Sequence, residues 1–216
     1  MPIVAMLTML IDHIGLIFFP NELLWRIIGR LAFPIYLFGI VQGWKYTRNR
    51  KRYVIRLSVI GAVSQIPFVL SVGAGGINVI GTFLMILAAF WVLDRMRGNG
   101  LAIVSVVLIA LALEMFPFDY GAYGLGLALC YRYLSGFNMV AAHMAMNLLW
   151  MFYKGWGIQL YSILPTVLFA FGPDLMNRMN RFKVPRWLWL SFYPAHLLIL
   201  GIILHGGQIA ELWNGR

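Results

Sequence analysis

Residues 3–19 read IVAMLTMLIDHIGLIFF, an apolar run interrupted only by Thr8, Asp12, His13 and Gly15. A lipid bilayer accepts a helix of about 20 mostly apolar residues, so a run of this kind reads as a membrane segment. Outward from it, eight further runs bounded by Gly, Pro, Asn or charge fall at 24–44, 54–71, 79–93, 101–115, 121–135, 137–153, 157–173 and 187–205. Several are short, and 121–135 reads as a half-span or re-entrant piece. The composition agrees. The chain is 62% hydrophobic and 11% charged over 216 residues, whereas soluble domains run at about 45–50% apolar with about a quarter charged. That excludes an ordinary soluble domain, a disordered chain and a coiled coil. The expected fold is all-α: a polytopic transmembrane helical bundle of about nine membrane segments, forming one domain over 1–216. The first run has no basic stretch before it and no small-residue cleavage site, so it reads as a retained helix rather than a signal peptide.

The charges are unevenly placed. Seventeen Lys and Arg against seven Asp and Glu leave a formal net charge of +10. Thirteen of the basic residues fall on alternate connections: Lys45, Arg48, Arg50, Lys51, Arg52 and Arg56; Arg95 and Arg97; Arg132; and Arg178, Arg181, Lys183 and Arg186. Basic loops stay in the cytoplasm, which places the N-terminus inside. Topology and anionic headgroups account for this charge, so a nucleic-acid partner is not expected. Cys130 is the single cysteine, which excludes an intramolecular disulfide and a cysteine-based metal cluster. No metal is expected.

A charge at membrane depth costs about 2.5–3.5 kcal/mol on insertion scales, so each one calls for a reason. Asp12 and His13 lie within the first run. Glu22, Arg26 and Arg30 follow at i, i+4, i+8, on one helix face. The spacing leaves two ion pairs open, Asp12 with Arg30 and Glu22 with Arg26. Asp12 and His13 diverge by about 100° around a helix, so Asp12 does not orient His13 and belongs to a neighbouring helix, with Arg30 as its natural partner. His13 is the candidate general base, because a neutral imidazole can take a proton from an attacking amine or hydroxyl. Other polar positions have plainer readings. His143 and Asn147 read as interhelical hydrogen-bonding groups, Asn78 as a helix N-cap and His205 as an interfacial residue. Glu114 and Asp119 cap the outer ends of their helices. Pro34, Pro67, Pro165 and Pro194 read as kinks.

The order of the motifs carries a resemblance. Leu10-Ile-Asp12-His13-Ile-Gly15 is followed by Gly29-Arg30-Leu-Ala32-Phe33-Pro34-Ile-Tyr36, Ser64-Gln65-Ile-Pro67-Phe68, Asn78-Val-Ile-Gly-Thr82-Phe83 and Asp119-Tyr120-Gly121-Ala-Tyr-Gly124. Gln159-Leu160 and Phe192-Tyr193-Pro194-Ala-His196-Leu197 close the series. From first helix to last the chain resembles the TraX family, whose named member acetylates the N-terminus of F-type conjugative pilin in the bacterial inner membrane. It also resembles the wider group of polytopic acyltransferases that use acyl-CoA. The resemblance implies a multi-pass protein of the bacterial cytoplasmic membrane with acetyl-CoA as acyl donor, His13 (with Asp12 beside it) as the catalytic position and Arg30 on the donor. Arg26 joins Arg30 as a candidate donor residue. Gln65, Asn78, Asp119, Tyr120 and His196 match the family's motifs without individual roles. Gly81 departs from the bulkier residue expected at its position, and the pilin substrate does not follow from the match.

Together the residues and the resemblance predict an acyltransferase. The donor's phosphates would meet Lys45, Arg48 and Arg52 on the basic loop, and Trp44, Tyr46 and Tyr53 would stack on adenine. Its pantetheine arm would run inward to Asp12, His13 and Arg30. His13 deprotonates the acceptor, Asn78 or Tyr120 holds the oxyanion, and transfer is direct because Cys130 lies far from the cluster. A peptide amine, a sugar hydroxyl and a lipid head group all fit as acceptor. The rival reading is a small proton-coupled transporter or channel using the Asp-His-Arg cluster, although the two halves lack the matched broken helices of an inverted repeat. A scaffold using its helix surfaces alone leaves that cluster unexplained.

Overall fold

Three asparagines start three helices. Asn49, Asn78 and Asn99 each accept a hydrogen bond from a backbone N–H in the first turn, from Arg52, Ile80 and Leu101 at 2.9, 3.0 and 2.9 Å, satisfying donors that a helix start leaves open. The computed structural model describes residues 1–96, 99–180 and 184–214, and Arg97, Arg181 and Lys183 of the thirteen basic residues lie outside them. In chain order the helices are α1 (Pro2–Phe18), α2 (Leu23–Gly29), α3 (Ala32–Tyr46), α4 (Arg50–Ser71), α5 (Val79–Arg95), α6 (Gly100–Met115), α7 (Gly121–Tyr133) and α8 (Gly136–Lys154). A 3-10 turn (Gly157–Ser162) leads into α9 (Ile163–Phe171), α10 (Pro173–Asn180) and α11 (Arg186–Asn214). Apart from one isolated bridge, Ile77 to Phe118, the regular structure of the described residues is helical. The all-α expectation therefore holds.

The count of nine membrane segments does not. Among the described residues, three helical stretches are long and apolar enough to cross a membrane: Leu23–Tyr46, Arg50–Ser71 and Arg186–Gly206. A fourth arises if Gly157–Phe171 and Pro173–Met179, bent by 102°, form one broken span. The other two apolar helices, α1 and α6, have 17 and 16 residues, and 17 residues at about 1.5 Å each reach about 25 Å against a hydrocarbon core of about 30 Å. The overcount has a physical source. In α5 and α7 apolar residues serve helix packing rather than lipid. Ile86, Leu87, Ala89 and Phe90 on α5 and Tyr123, Leu125, Leu127 and Ala128 on α7 are sealed in the core with Phe33, Leu37 and Val41 of α3. Helix α7 has only 13 residues, in keeping with the short 121–135 run. Two apolar faces look outward instead, through Val59, Val63 and Ile66 on α4 and Ile199, Ile202 and Ile203 on α11. Each side chain there is more than half exposed, the surface of a helix that meets lipid.

Polar ties gather the connections at two ends. At the basic end Asp94 accepts from Arg132 at 2.5 Å and Trp44 Nε1 at 3.1 Å and pairs with Arg50 at 2.8 Å. One carboxylate thus joins the ends of α3, α4, α5 and α7. The Met1 ammonium donates to the Met179 carbonyl at 2.9 Å, fixing α1 to α10. At the opposite end Lys154 pairs with Glu114 at 2.5 Å, and Glu114 also accepts the Ala122 N–H at 3.1 Å. His205 donates there to the Leu70 carbonyl, at 2.8 Å.

Candidate active site

Two glycines bring α1 and α2 close enough to form the site. A Cβ on Gly15 would lie 2.2 Å from Trp25 Cβ, and one on Gly29 would lie 2.1 Å from Asp12 Oδ1. Helices that approach at small residues bring their polar side chains into direct contact. Asp12 therefore reaches across to α2, where Arg26 Nη1 donates to its Oδ1 at 2.8 Å. Arg30 Nη2 donates to both carboxylate oxygens, at 3.1 and 3.3 Å. Arg26 thus turns to Asp12 and not to Glu22 one turn away, and both guanidiniums share one carboxylate. The cluster keeps a net positive charge in a largely buried setting, with the Asp12, Arg26 and Arg30 side chains 15, 21 and 12% exposed.

His13 points elsewhere, as the helix angle requires. Its Nδ1 lies 2.9 Å from His196 Nε2, and His196 Nδ1 lies 2.6 Å from the Phe192 carbonyl. A carbonyl only accepts, so His196 carries its proton on Nδ1, and in the neutral pair its Nε2 is an acceptor. His13 then donates from Nδ1. Its Nε2 is left with a lone pair, the form a general base needs. Phe192 stacks on His196 at 4.9 Å and holds the ring that orients His13.

Asp119 and Tyr120 come in from the connection between α6 and α7. Ile77 donates to the Pro117 carbonyl at 2.8 Å and accepts from the Asp119 N–H at 3.1 Å, while Thr82 Oγ1 donates to the Asp119 carbonyl. These bonds hold Tyr120 at φ 63°, the only positive φ outside glycine among the described residues. Such a conformation costs of order 1–3 kcal/mol and persists only where its surroundings impose it. The Tyr120 ring stacks on Phe33 at 3.6 Å and faces the Arg30 guanidinium at 5.9 Å. Its hydroxyl has no hydrogen-bond partner among the described residues.

Two cavities meet here. One, of about 320 Å³, runs from Asp12, His13, Asp119 and Tyr120 between α3, α4 and α11 to Gly43, Tyr53, Arg56 and Arg186 at the basic end. The other, of about 400 Å³, starts at the same four residues and opens past Arg26, Arg30, Val72, Lys154 and Trp156 toward the opposite end.

The structure thus brings together Asp12, His13, Arg26, Arg30, Asp119, Tyr120 and His196. Gln65 and Asn78 stand apart and hold each other. Asn78 Nδ2 donates to Gln65 Oε1 at 2.7 Å and to the Gly61 carbonyl at 2.9 Å, and Gln65 Nε2 donates to the Gly76 carbonyl at 2.8 Å. Both Asn78 amide hydrogens are engaged, so it has no donor for an oxyanion. Its N-cap reading is the one the geometry bears out. Lys45, Arg48 and Arg52 lie on the basic rim outside the lining of both cavities. Trp44 is 4% exposed under Arg50 and bonded to Asp94, so its ring is closed to an adenine. Cys130 lines neither cavity. Among the described residues, no three His, Cys, Asp or Glu side chains are grouped as metal ligands.

The sequence reading assigned no role to Gln159, which links this cluster to a second one. Gln159 Oε1 accepts from Arg30 at 3.4 Å, and its Nε2 donates to the Tyr123 hydroxyl at 3.2 Å. Around Tyr123 gather Asn147 Oδ1, His143 Nε2 and Ser162 Oγ at 2.8, 2.9 and 3.1 Å. His143 Nδ1 meets Thr166, which meets Tyr131. His143 and Asn147 are fully buried and hydrogen-bonded between helices, the plainer of their readings.

Fold and site define a helical membrane protein in which a histidine pair and a shared Asp–Arg ion cluster lie where two cavities meet. The chain belongs to the TraX family: the family model described as TraX protein matches residues 1–204. It is also 34% identical over 71 residues to the probable fimbrial assembly protein FimC, serogroup H1, of Dichelobacter nodosus. That stretch is 31% of this chain and 28% of the relative, so the chain spans little more than a quarter of the relative's length. No solved structure matches.

Proposed function

We propose that the protein is an acyl-CoA-dependent acyltransferase of the bacterial cytoplasmic membrane, moving an acetyl group from cytoplasmic acetyl-CoA to an amine or hydroxyl on the far side. The observation that carries this reading is the meeting of two cavities, from opposite ends, at Asp12, His13, Asp119 and Tyr120. A reaction between a cytoplasmic donor and an external acceptor needs two entrances and one centre. Membership of the TraX family supports it further.

The basic end faces the cytoplasm in this scheme, with Met1 beside it, as the positive-inside rule favours. The donor enters the cavity at Arg56 and Arg186, and the acceptor comes through the cavity lined by Arg26, Lys154 and Trp156. His13 Nε2 takes the acceptor's proton as its nitrogen or oxygen attacks the thioester carbon. The new C–N or C–O bond forms as the C–S bond breaks, and the proton passes from His13 to the leaving sulfur, giving CoA thiol. Developing negative charge on the carbonyl oxygen is met by the Tyr120 hydroxyl and by the positive Asp12–Arg26–Arg30 cluster. His196 is a positioning residue, holding the His13 proton on Nδ1.

The test uses purified protein in lipid vesicles with radiolabelled acetyl-CoA, reading thiol release and label transferred to membrane material. Wild type turns over the donor, and His13→Gln, with unchanged folding, loses at least 100-fold on the scale of general base catalysis. Full activity in His13→Gln removes the role of His13. A wild-type protein that neither binds nor cleaves acetyl-CoA overturns the reading and leaves the transporter.

A further inference from the structure

The basic residues of the described chain divide into those already engaged and those still available. Arg50 and Arg132 are held by Asp94, Arg26 and Arg30 by Asp12, and Lys154 by Glu114. Arg56 and Arg186 have no acidic partner among the described residues, and they are the two cations at the mouth of the basic-end cavity. They come from different elements. Arg56 lies two turns into α4 with its guanidinium over the Tyr53 ring at 5.6 Å, and Arg186 is the first residue of α11. The first turn of α11 contains no acidic residue, so its open N–H groups add positive potential beside Arg186. Within the cavity the lining is apolar and aromatic, with Tyr36 stacked on Trp189 at 4.9 Å.

The distance from this mouth to the reaction centre suits one kind of ligand. Along α3 the lining runs from Ala32 near the centre to Gly43 at the mouth, eleven residues at a rise of about 1.5 Å, or about 16 Å. Midway along, α3 presents Gly39 to the cavity, and a Cβ there would meet nothing within 4 Å. A slender chain fits there, reactive at its inner end and doubly anionic at its outer end.

We propose that Arg56 and Arg186 bind the diphosphate of the acyl donor, fixing its length in the cavity so that the thioester arrives beside His13. This rests on the acyltransferase reading and assigns a subsite to it. Guanidiniums suit the role because they meet phosphate oxygens with paired hydrogen bonds, and two from separate elements can hold both phosphates. Lys45, Arg48 and Arg52 then serve as outer rim charge, attracting the donor without fixing it.

The experiment compares acetyl-CoA with S-acetylpantetheine, which has the thioester and the arm but no diphosphate. Thiol release from each is measured for wild type and for Arg56→Gln, Arg186→Gln and the double variant in vesicles. The expected result is a KM for acetyl-CoA raised about 10-fold or more in each single variant, the scale of one charge-assisted hydrogen bond. Kinetics with S-acetylpantetheine stay at the wild-type value. An unchanged KM for acetyl-CoA overturns the assignment, and so does an equal loss with both donors, which indicates a structural defect. Wild type that cleaves neither donor defeats the acyltransferase reading itself, a separate outcome.

Discussion

Replacing Gly39 with leucine tests the donor passage without touching a charged group. Gly39 lies in the middle of α3, lines the basic-end cavity and not the other, and faces open space. Four added carbons, at about 30 Å³ apiece on the scale of a liquid water molecule, fill roughly 120 Å³ of the 320 Å³ present. The lost space is over a third of the passage, and it lies between the mouth and the centre. Folding is not expected to suffer, because an interior helical glycine is about 1 kcal/mol less favourable than alanine and leucine propagates helix nearly as well as alanine. The assay pairs thermal unfolding with thiol release from acetyl-CoA in vesicles. The expected outcome is an unchanged or raised Tm, with kcat/KM for acetyl-CoA down by at least 10-fold. Gly39→Ala, which adds one carbon, retains most of the activity. Wild-type turnover in a folded Gly39→Leu protein would refute the passage and send the donor by another route.

Other variants separate the parts of the site. His196→Ala is expected to leave the protein folded but to lower kcat by about 10-fold to 100-fold with KM little changed, because His13 loses the partner that fixes its tautomer; steady-state kinetics decide. Gly29→Ala drives a Cβ into the Asp12 carboxylate, so it is expected to lower both Tm and activity by separating Asp12 from its two arginines. Wild-type melting would show that α1 and α2 have room to part. Asn78→Ala leaves Gln65 and the start of α5 short of their bonds, at a stability cost of about 1–3 kcal/mol, while activity per folded molecule persists; a specific activity lost as completely as in His13→Gln would restore Asn78 to the chemistry.

Helix starts were legible because their causes are local: Asn49, Asn78 and Asn99 cap within their own first turns. The fact that Asp12 and His13 part company was legible from helix geometry alone, and Arg30 followed as the Asp12 partner. Span number was not. Apolar runs in α5 and α7 look the same whether they face lipid or neighbouring helices, and only the assembled core tells Phe90 from a lipid-facing residue. The His13–His196 pair joins residues 183 positions apart, and no local pattern announces such a contact. Gln65 and Asn78 stood out as polar residues among apolar ones, but their purpose is mutual: each satisfies the other. Arg56 and Arg186 were hidden among thirteen similar charges, since the difference between a rim cation and a cavity cation depends on where α4 and α11 meet.

The carboxylate shared between α1 and α2 also bears on how the protein reaches its membrane. A helix carrying Asp12 alone, or a segment carrying Arg26 and Arg30 alone, would present uncompensated charge to the hydrocarbon, at about 2.5–3.5 kcal/mol for each group near its centre. Brought together across Gly15 and Gly29 as one hairpin, three charges become a compact set with a single net charge. The pairing that shapes the reaction centre is thus also what makes a charged first helix and a doubly charged second one less costly to place in lipid together than apart.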